Sequence, residues 1–473
     1  MSNLHGMKQL NELEHFCNCA HDQNIRTGKF GRLFPELPAL YTNPDILRAL
    51  GKKSGPMDGG SNANRTNTVP VGQVFFGQFI DHDITLDTSS SFTKVNEESD
   101  ITNVRTPTLD LDSIYGSGPE ASPFLYVQTG DFAGIKLLTG VDGTAANQTP
   151  DLAKEDLVRS PHGTAVIGDP RNDENRIISQ LQLAMIRFHN NVVEHLSSKY
   201  TGHELYEEAR QLVTYHYHWA VLNDFLVDMC GAAVVWDILH NGREFYCIDE
   251  APYIPVEFSV AAYRFGHSMV PQKIQVQKGE SAKELFGTTL GLGFTPLSST
   301  DAIVDWHELF NTTENRQVQK AEKLDTKLAS DLLALPFITN DENSLATRNL
   351  LRGQSFLMPS GENIALMMGR SESEIKKVSD KANASSSNTL EGKTPLWYYL
   401  LTEAEEIGRE TSNGSFDKAE GLGPVGARLV AEVIIGLMEL DPNSFLAKNR
   451  AWSPVDGLGE EVKGVGDMLT YNA

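Results

Sequence analysis

Between Val71 and Asp83 the chain does two things that an ordinary core helix does not combine. Val74, Phe75, Gln78, Phe79 and His82 recur three and four residues apart, the period of a helix with one strongly apolar face. Yet Gln78, Asp81, His82 and Asp83 crowd polar groups into six positions. Gln78 and His82, four apart, share a side of that helix. One reading is a satisfied polar face at a helix end. The other is a histidine held over a reaction site, with the flanking carboxylates assigned to other tasks. Alone, the fragment does not say which reaction.

The rest of the chain reads as mainly α. Ile177, Leu181, Met185, Phe188 and Val192 mark a helix over 176–198, and 205–226 continues the pattern. Further helices are expected over 256–270, 328–336 and 424–440, while strand signals are sparse. The domain plan that follows is an irregular N-terminal arm, 1–70, packed on the core, a catalytic domain over 71–455, and a flexible Gly-rich tail, 456–473. Residues 84–125 read as a long polar loop, a type that is usually functional in compact proteins. The Ser-rich stretch 371–394 reads as a surface insertion.

Charge narrows the possible partners. Sixty-three acidic against 40 basic side chains leave a net charge of −23, which repels phosphate backbones and anionic lipid in the absence of a basic patch. The best apolar run, 427–440, is too short to span a bilayer and contains Glu432. The first residues lack the basic start and apolar core of a secretory leader. The expected location is therefore cytoplasmic, or secreted without an N-terminal signal peptide. Four cysteines, Cys17, Cys19, Cys230 and Cys247, are too few for a disulfide scaffold and are expected to be reduced.

Two more segments look chemical. Gly168-Asp-Pro-Arg-Asn-Asp-Glu174 places Arg171 and Glu174 three apart at a turn entering the 176–198 helix. Arg264-Phe-Gly-His267 puts a second histidine on an apolar helix, with an arginine three residues before it. GQFIDHD, GDPRNDE and YRFGH occur in that order, and the set resembles the animal-type haem peroxidases, the superfamily that includes myeloperoxidase, lactoperoxidase and, more remotely, the cyclooxygenases and α-dioxygenases. Leu109-Asp-Leu-Asp-Ser-Ile-Tyr-Gly-Ser117 resembles the calcium loop of that family, and Leu345 to Gly353 resembles the stretch behind its proximal histidine. The resemblance covers roughly 71–455 and suggests a signal-less member of microbial type.

The resemblance implies haem b and calcium as cofactors, with hydrogen peroxide and small electron donors as partners. His267 takes the position of the iron ligand, an imidazole whose far nitrogen should be hydrogen-bonded. His82 takes that of the distal base, for which a near-neutral pKa suits proton transfer. Arg171 takes that of the fixed charge beside the departing oxygen. Peroxide would be reduced by two electrons through an oxyferryl intermediate, with oxidation of halide, pseudohalide or small aromatic donors. Gln78 matches the residue lining the halide pocket. Asp81 and Glu174 match the two carboxylates that ester-link haem in mammalian members. Asn175 stands where myeloperoxidase has the methionine of its sulfonium link, so that link is not expected. Arg264, and Arg348 as a second, match arginines near haem propionates. Asp83, Thr106, Thr108, Asp110 and Asp112 fall on calcium-ligand positions, where oxygen donors suit a hard cation; the family usually has serine at the place of Asp112.

Two other functions compete with this one. A haem-dependent fatty-acid dioxygenase would carry a tyrosine three residues before the proximal histidine or elsewhere near the haem, and position 264 is arginine. A calcium-stabilised adhesion protein would not need His82, Arg171 and His267 together. His15, Cys17, Cys19 and His21 lack common zinc spacing, and His216 and His218 read as helix residues, one buried and one exposed.

Overall fold

A computed structural model describes residues 28–472, apart from 62–63, 88–89, 92–93, 99–100, 249–250, 315, 340–341, 391 and 460. The cluster His15, Cys17, Cys19 and His21 lies outside the described residues. The architecture is mainly helical, as the periodicity implies, with four small sheets among the described residues. Its principal helices are α1 (Gly72–Ile84), α2 (Arg176–Leu196), α3 (Gly202–Ala220), α4 (Leu345–Ser355), α5 (Leu396–Glu406), α6 (Pro424–Leu440) and α7 (Val465–Thr470). None among the described residues is long and apolar enough to cross a membrane.

One contiguous core links these helices. Phe76, Phe79 and Ile80 of α1 are fully enclosed. Each such side chain contributes about 1.5–3 kcal/mol by leaving water. Phe76 and Phe79 both meet the ring of Tyr217 edge-on. Gly77 lets α1 approach the 221–225 segment, where a Cβ would stand 2.8 Å from the Phe225 ring. The core thereby fixes α1 in position, and with it the polar residues near its C-terminal end.

Several local expectations change. The proximal segment is not a regular α-helix: Glu257–Ala261 is π-helical and Ala262–Met269 is 3-10. Such departures from α geometry concentrate at functional sites. Here the buried Glu257 carboxylate accepts from the backbone of Leu33 and Phe34, and the Arg264 guanidinium donates to the Ser259 carbonyl. Only Ser330–Leu333 of the expected 328–336 helix forms, as a 3-10 turn. The arm contributes regular structure: Gly28–Gly31 pairs with residues 102–103 and 253–255, and Arg65–Pro70 pairs with Lys320–Glu322.

The 371–394 stretch holds a helix, Glu372–Ser385, capped by Ser371 and packed on α5 through Val378 and Ala382. Its few apolar positions are masked by serine-rich composition. The Gly-rich tail ends in α7, whose Val465, Met468 and Leu469 are buried. Its N-terminus is anchored where Val465 N donates to the Asp224 carboxylate. His216 and His218 are both buried, which corrects the expectation of one exposed ring. His216 meets the Trp452 ring edge-on, and His218 Nε2 bonds the Leu109 carbonyl at 2.7 Å. Cys230 is buried, Cys247 is exposed, and both are free.

Candidate active site

The three polar segments meet at one cavity of about 330 Å³, a size ordinary for an organic cofactor or ligand site. Gln78, Asp81 and His82 line it from α1, Arg171, Glu174 and Asn175 from the turn before α2, and Arg264 and His267 from the 3-10 segment. Apart from Tyr263, the remaining wall is apolar, including Phe75, Phe225, Phe265, Leu285 and Phe337.

The distal turn is built by its own sequence. Asp169 caps it, its carboxylate accepting from Arg171 N, and Pro170 starts the 3-10 turn Pro170–Asp173. Asn175 then caps α2 by accepting from Ile178 N, while its amide donates to Gln78 Oε1 at 3.2 Å. The residue that departs from the myeloperoxidase pattern is thus a helix cap that also orients Gln78.

His82 sits with its Nδ1 2.7 Å from Asn172 Oδ1. The Asn172 amide donates in turn to Gln182 Oε1, also at 2.7 Å. That fixes the asparagine oxygen toward the ring, so Nδ1–H donates and Nε2 keeps its lone pair. Nε2 lies 3.7 Å from Glu174 Oε1. Burial, and then the positive charge of Arg171, bring the His82 pKa down to about 4. The ring is neutral at physiological pH and able to accept a proton.

The guanidinium of Arg171 donates to both oxygens of Asp169 and, at 3.0 Å, to the carbonyl of His82. Burial opposes the Asp169 charge, but the Arg171 bonds outweigh it and hold that carboxyl well below the usual range. Burial raises Glu174 to about 7 against the pull of Arg171 and of Gln78, whose amide donates to Glu174. Asp81 accepts from the Thr85 hydroxyl at 2.9 Å.

A backbone loop braces this turn. Phe294 N donates to the Asp173 carbonyl at 2.6 Å. At Gly293, with φ +83°, a Cβ would fall 2.0 Å from the Glu174 carbonyl oxygen. Only glycine fits there, on both grounds.

On the proximal side the Asn349 amide of α4 lies 2.8 Å from His267 Nδ1. With the amide oxygen turned to the ring, an orientation equivalent in shape, Nδ1 carries the proton and Nε2 is free to bind a metal. Burial, with Arg264 second, lowers the His267 pKa to about 3, which leaves the ring neutral, as ligation requires. Arg348 does not line the cavity; its guanidinium donates to the Glu342 carbonyl. Arg352, one turn on, feels the same Arg264 charge and is bonded to Asp87 and Ser90.

Asp83, Asp110 and Asp112 bring carboxylate oxygens within 4.8 Å of one another. Asp83 is fully buried; its Oδ2 accepts from Leu111 N and from the Tyr217 hydroxyl, while Oδ1 has no hydrogen-bond partner among the described residues. An orphaned, buried carboxylate oxygen facing two further acids fits a hard cation. Thr106 donates to Asp110 at 3.1 Å, and Thr108 lies half-buried in the same loop.

Sequence reasoning missed Asn172, Asp169, Asn349 and Arg105, which hold the groups of this site in place. Asp169 alone carried a signal, the Asp-Pro pair that begins a capped turn. The partners of the two histidines could not be found without the fold.

Fold and site together define a helical protein that gathers two neutral imidazoles and an anchored guanidinium around one largely apolar cavity, with an acidic cluster at the end of the helix that carries His82. The sequence profile of the animal haem peroxidase family matches residues 90–374, more than half the chain, and the chain belongs to that family. The match takes in Arg171 and His267 and begins eight residues after His82. A dual oxidase of Drosophila melanogaster is 26% identical over 228 residues, which is 45% of this chain and 14% of that protein. A chorion peroxidase of the same fly is 28% identical over 178 residues, 36% of this chain and 22% of that protein. The aligned stretch is less than a quarter of either relative. Among solved structures, peroxidase A from Dictyostelium discoideum has a similar fold, with a TM-score of 0.62 at 14% identity, covering 94% of this chain and 93% of that one. A fatty acid alpha-dioxygenase from Arabidopsis thaliana has a TM-score of 0.59 at 14% identity, covering 94% and 77%.

Proposed function

We propose that this chain is a haem peroxidase that reduces hydrogen peroxide and oxidises halide, pseudohalide or small aromatic donors. The observation that carries the reading is the pairing of a cavity-lining histidine whose Nδ1 is held by the Asn172 amide oxygen with a second cavity-lining histidine whose Nδ1 is held by the Asn349 amide. Haem, when bound, would supply the iron that takes peroxide and stores two oxidising equivalents. His267 would hold the iron, and Arg264, the arginine of the proximal side that lines the cavity, would face the propionates.

The chain's own groups handle protons and charge. His82 Nε2 takes the peroxide proton and returns it to the leaving oxygen, a transfer worth about 10²–10⁴ in rate. Arg171 meets the negative charge that develops on that oxygen, its guanidinium already fixed by Asp169. Gln78 and the apolar wall border the space for the donor. Asp81 and Glu174 are the carboxylates available for ester links, and the raised pKa of Glu174 keeps a share of it protonated at neutral pH. Calcium, held by Asp83, Thr106, Thr108, Asp110 and Asp112, would brace the end of α1 beside His82.

The test is the absorption spectrum of the haem-loaded full chain before and after peroxide, beside His267→Ala. A Soret band that shifts with peroxide, and is lost or altered in the variant, is expected. A chain that retains no haem, or a spectrum indifferent to peroxide, sinks the reading. Haem that resists acid-acetone extraction after turnover would support the ester links.

Fatty-acid dioxygenation is a second reading with one observation in its favour. Tyr263, four residues before His267, is buried, lines the cavity and has a hydroxyl without a hydrogen-bond partner among the described residues. Oxygen uptake with a long-chain fatty acid and no peroxide would turn the assignment that way.

A further inference from the structure

Asp169 is fully buried and shared by two arginines. From the cavity side, Arg171 reaches it through Nε and Nη2. From the other side, Arg105 Nε donates to it at 3.0 Å. The same Arg105 fork donates from Nη1 to Asp112 Oδ1 at 3.0 Å and from Nη2 to the Gly168 carbonyl at 3.1 Å. Asp112 belongs to the acidic cluster with Asp83 and Asp110. A continuous row of alternating charges therefore runs from that cluster to the guanidinium in the cavity. All four side chains are at most 22% exposed.

Every link is charge-assisted and shielded from water, the setting in which one bond most affects its neighbour. Arg105 is the divided member. What its fork gives to Asp112 is not available to Asp169, and what Asp169 takes from Arg105 it need not take from Arg171. A divalent cation drawing on Asp112 must change that division. The family pattern has serine at position 112, which carries no charge to pair, so the Arg105–Asp112 link is a feature of this chain's own residues.

We propose that Arg105 and Asp169 are positioning residues that couple cation loading at Asp83, Asp110 and Asp112 to the seating of the Arg171 guanidinium. The proposal rests on the calcium reading above. Because linkage is reciprocal, it can be read from calcium binding alone, without turnover.

The experiment measures the calcium dissociation constant of the haem-loaded full chain, by competition with a fluorescent chelator, in the wild type, Arg171→Gln, Arg105→Gln and the double variant. Removing the Arg171 charge leaves Asp169 to hold Arg105 harder and frees Asp112 for the ion, so calcium should bind about fivefold tighter in Arg171→Gln. In the Arg105→Gln background the same change should shift affinity by less than about twofold. Arg105→Lys, which keeps the charge but not the fork, should also lose the coupling, and it serves where Arg105→Gln fails to fold by circular dichroism. Calcium affinity indifferent to Arg171→Gln overturns the proposal and leaves the calcium site standing. An equal shift with and without Arg105 overturns it in favour of a through-space field. A wild type that binds no calcium removes the calcium reading and the coupling together, while the peroxide-dependent spectrum still judges the peroxidase reading.

Discussion

The two histidines of the cavity are supported in opposite styles. His82 stands in a web: Asn172 behind its ring, Gln182 behind Asn172, and the Ser113 carbonyl accepting from Gln182. Arg171 beside it is tied through Asp169 to Arg105. Among the described residues the His267 ring has one hydrogen-bond partner, the Asn349 amide, on a segment tied down by single bonds between side chain and backbone, Arg264 to Ser259, Trp397 to Arg264 and Ser268 to Lys323. The contrast follows the work each would do. A proton-transferring ring must keep one tautomer while charge appears and disappears around it, so its surroundings are polar and preorganised. A metal ligand needs one lone pair aimed and one N–H satisfied, which a single amide provides.

The sharpest break of that comparison comes from the distal ring. His82→Ala should leave haem bound and slow the reaction with peroxide by about 10²–10⁴, as read by stopped-flow absorbance. A rate equal to that of the wild type would show that the web supports no base. The proximal side should be more forgiving of losing its partner. Asn349→Leu keeps the ligand but leaves Nδ1–H unpaired, and metal-site partners of this kind are worth about 10–100-fold. Haem affinity, and the reduction potential by spectroelectrochemistry, should both move, the potential upward because an imidazole without its acceptor is a weaker donor to oxidised iron. An unmoved potential would show the amide to be mere packing.

The smallest effect concerns Glu174, which burial raises to about 7. In the haem-free protein the folded carboxyl holds a proton that the unfolded chain releases above its ordinary value near 4.5. The folded state therefore binds more protons between pH 4.5 and 7, and its stability falls as pH rises through that window. Glu174→Gln removes the titration. Its advantage over wild type should grow between pH 5 and 8 by on the order of 1–2 kcal/mol, discounted for the part of the side chain that faces open cavity. Melting temperatures at the two pH values check it. A constant difference would mean that Glu174 is ionised throughout.

What could be read from the chain follows the reach of each signal. The faces of α1 and α2 were legible because their apolar residues repeat over several turns, and the chemical residues stood out where that repeat carried polar groups. The proximal 3-10 and π geometry was not, because Arg264 and His267 keep a three-residue spacing that suits either kind of helix. The helix over 372–385 was hidden because only Val378 and Ala382 give it apolar packing positions, among serines and charged residues. The partners of the site were least visible. Asn349 lies 82 positions from His267, and Asn172 lies 90 from His82. No local pattern ties residues so far apart; the packing of α4 and of the distal turn does.

Gly293 carries a mechanical meaning. Where the 287–297 segment crosses the distal turn, main chain lies directly on main chain, without a rotatable side chain as cushion. The hydrogen bond from Phe294 N to the Asp173 carbonyl spans the same crossing. Any side chain at position 293 must therefore push the distal turn aside, and Glu174 with it.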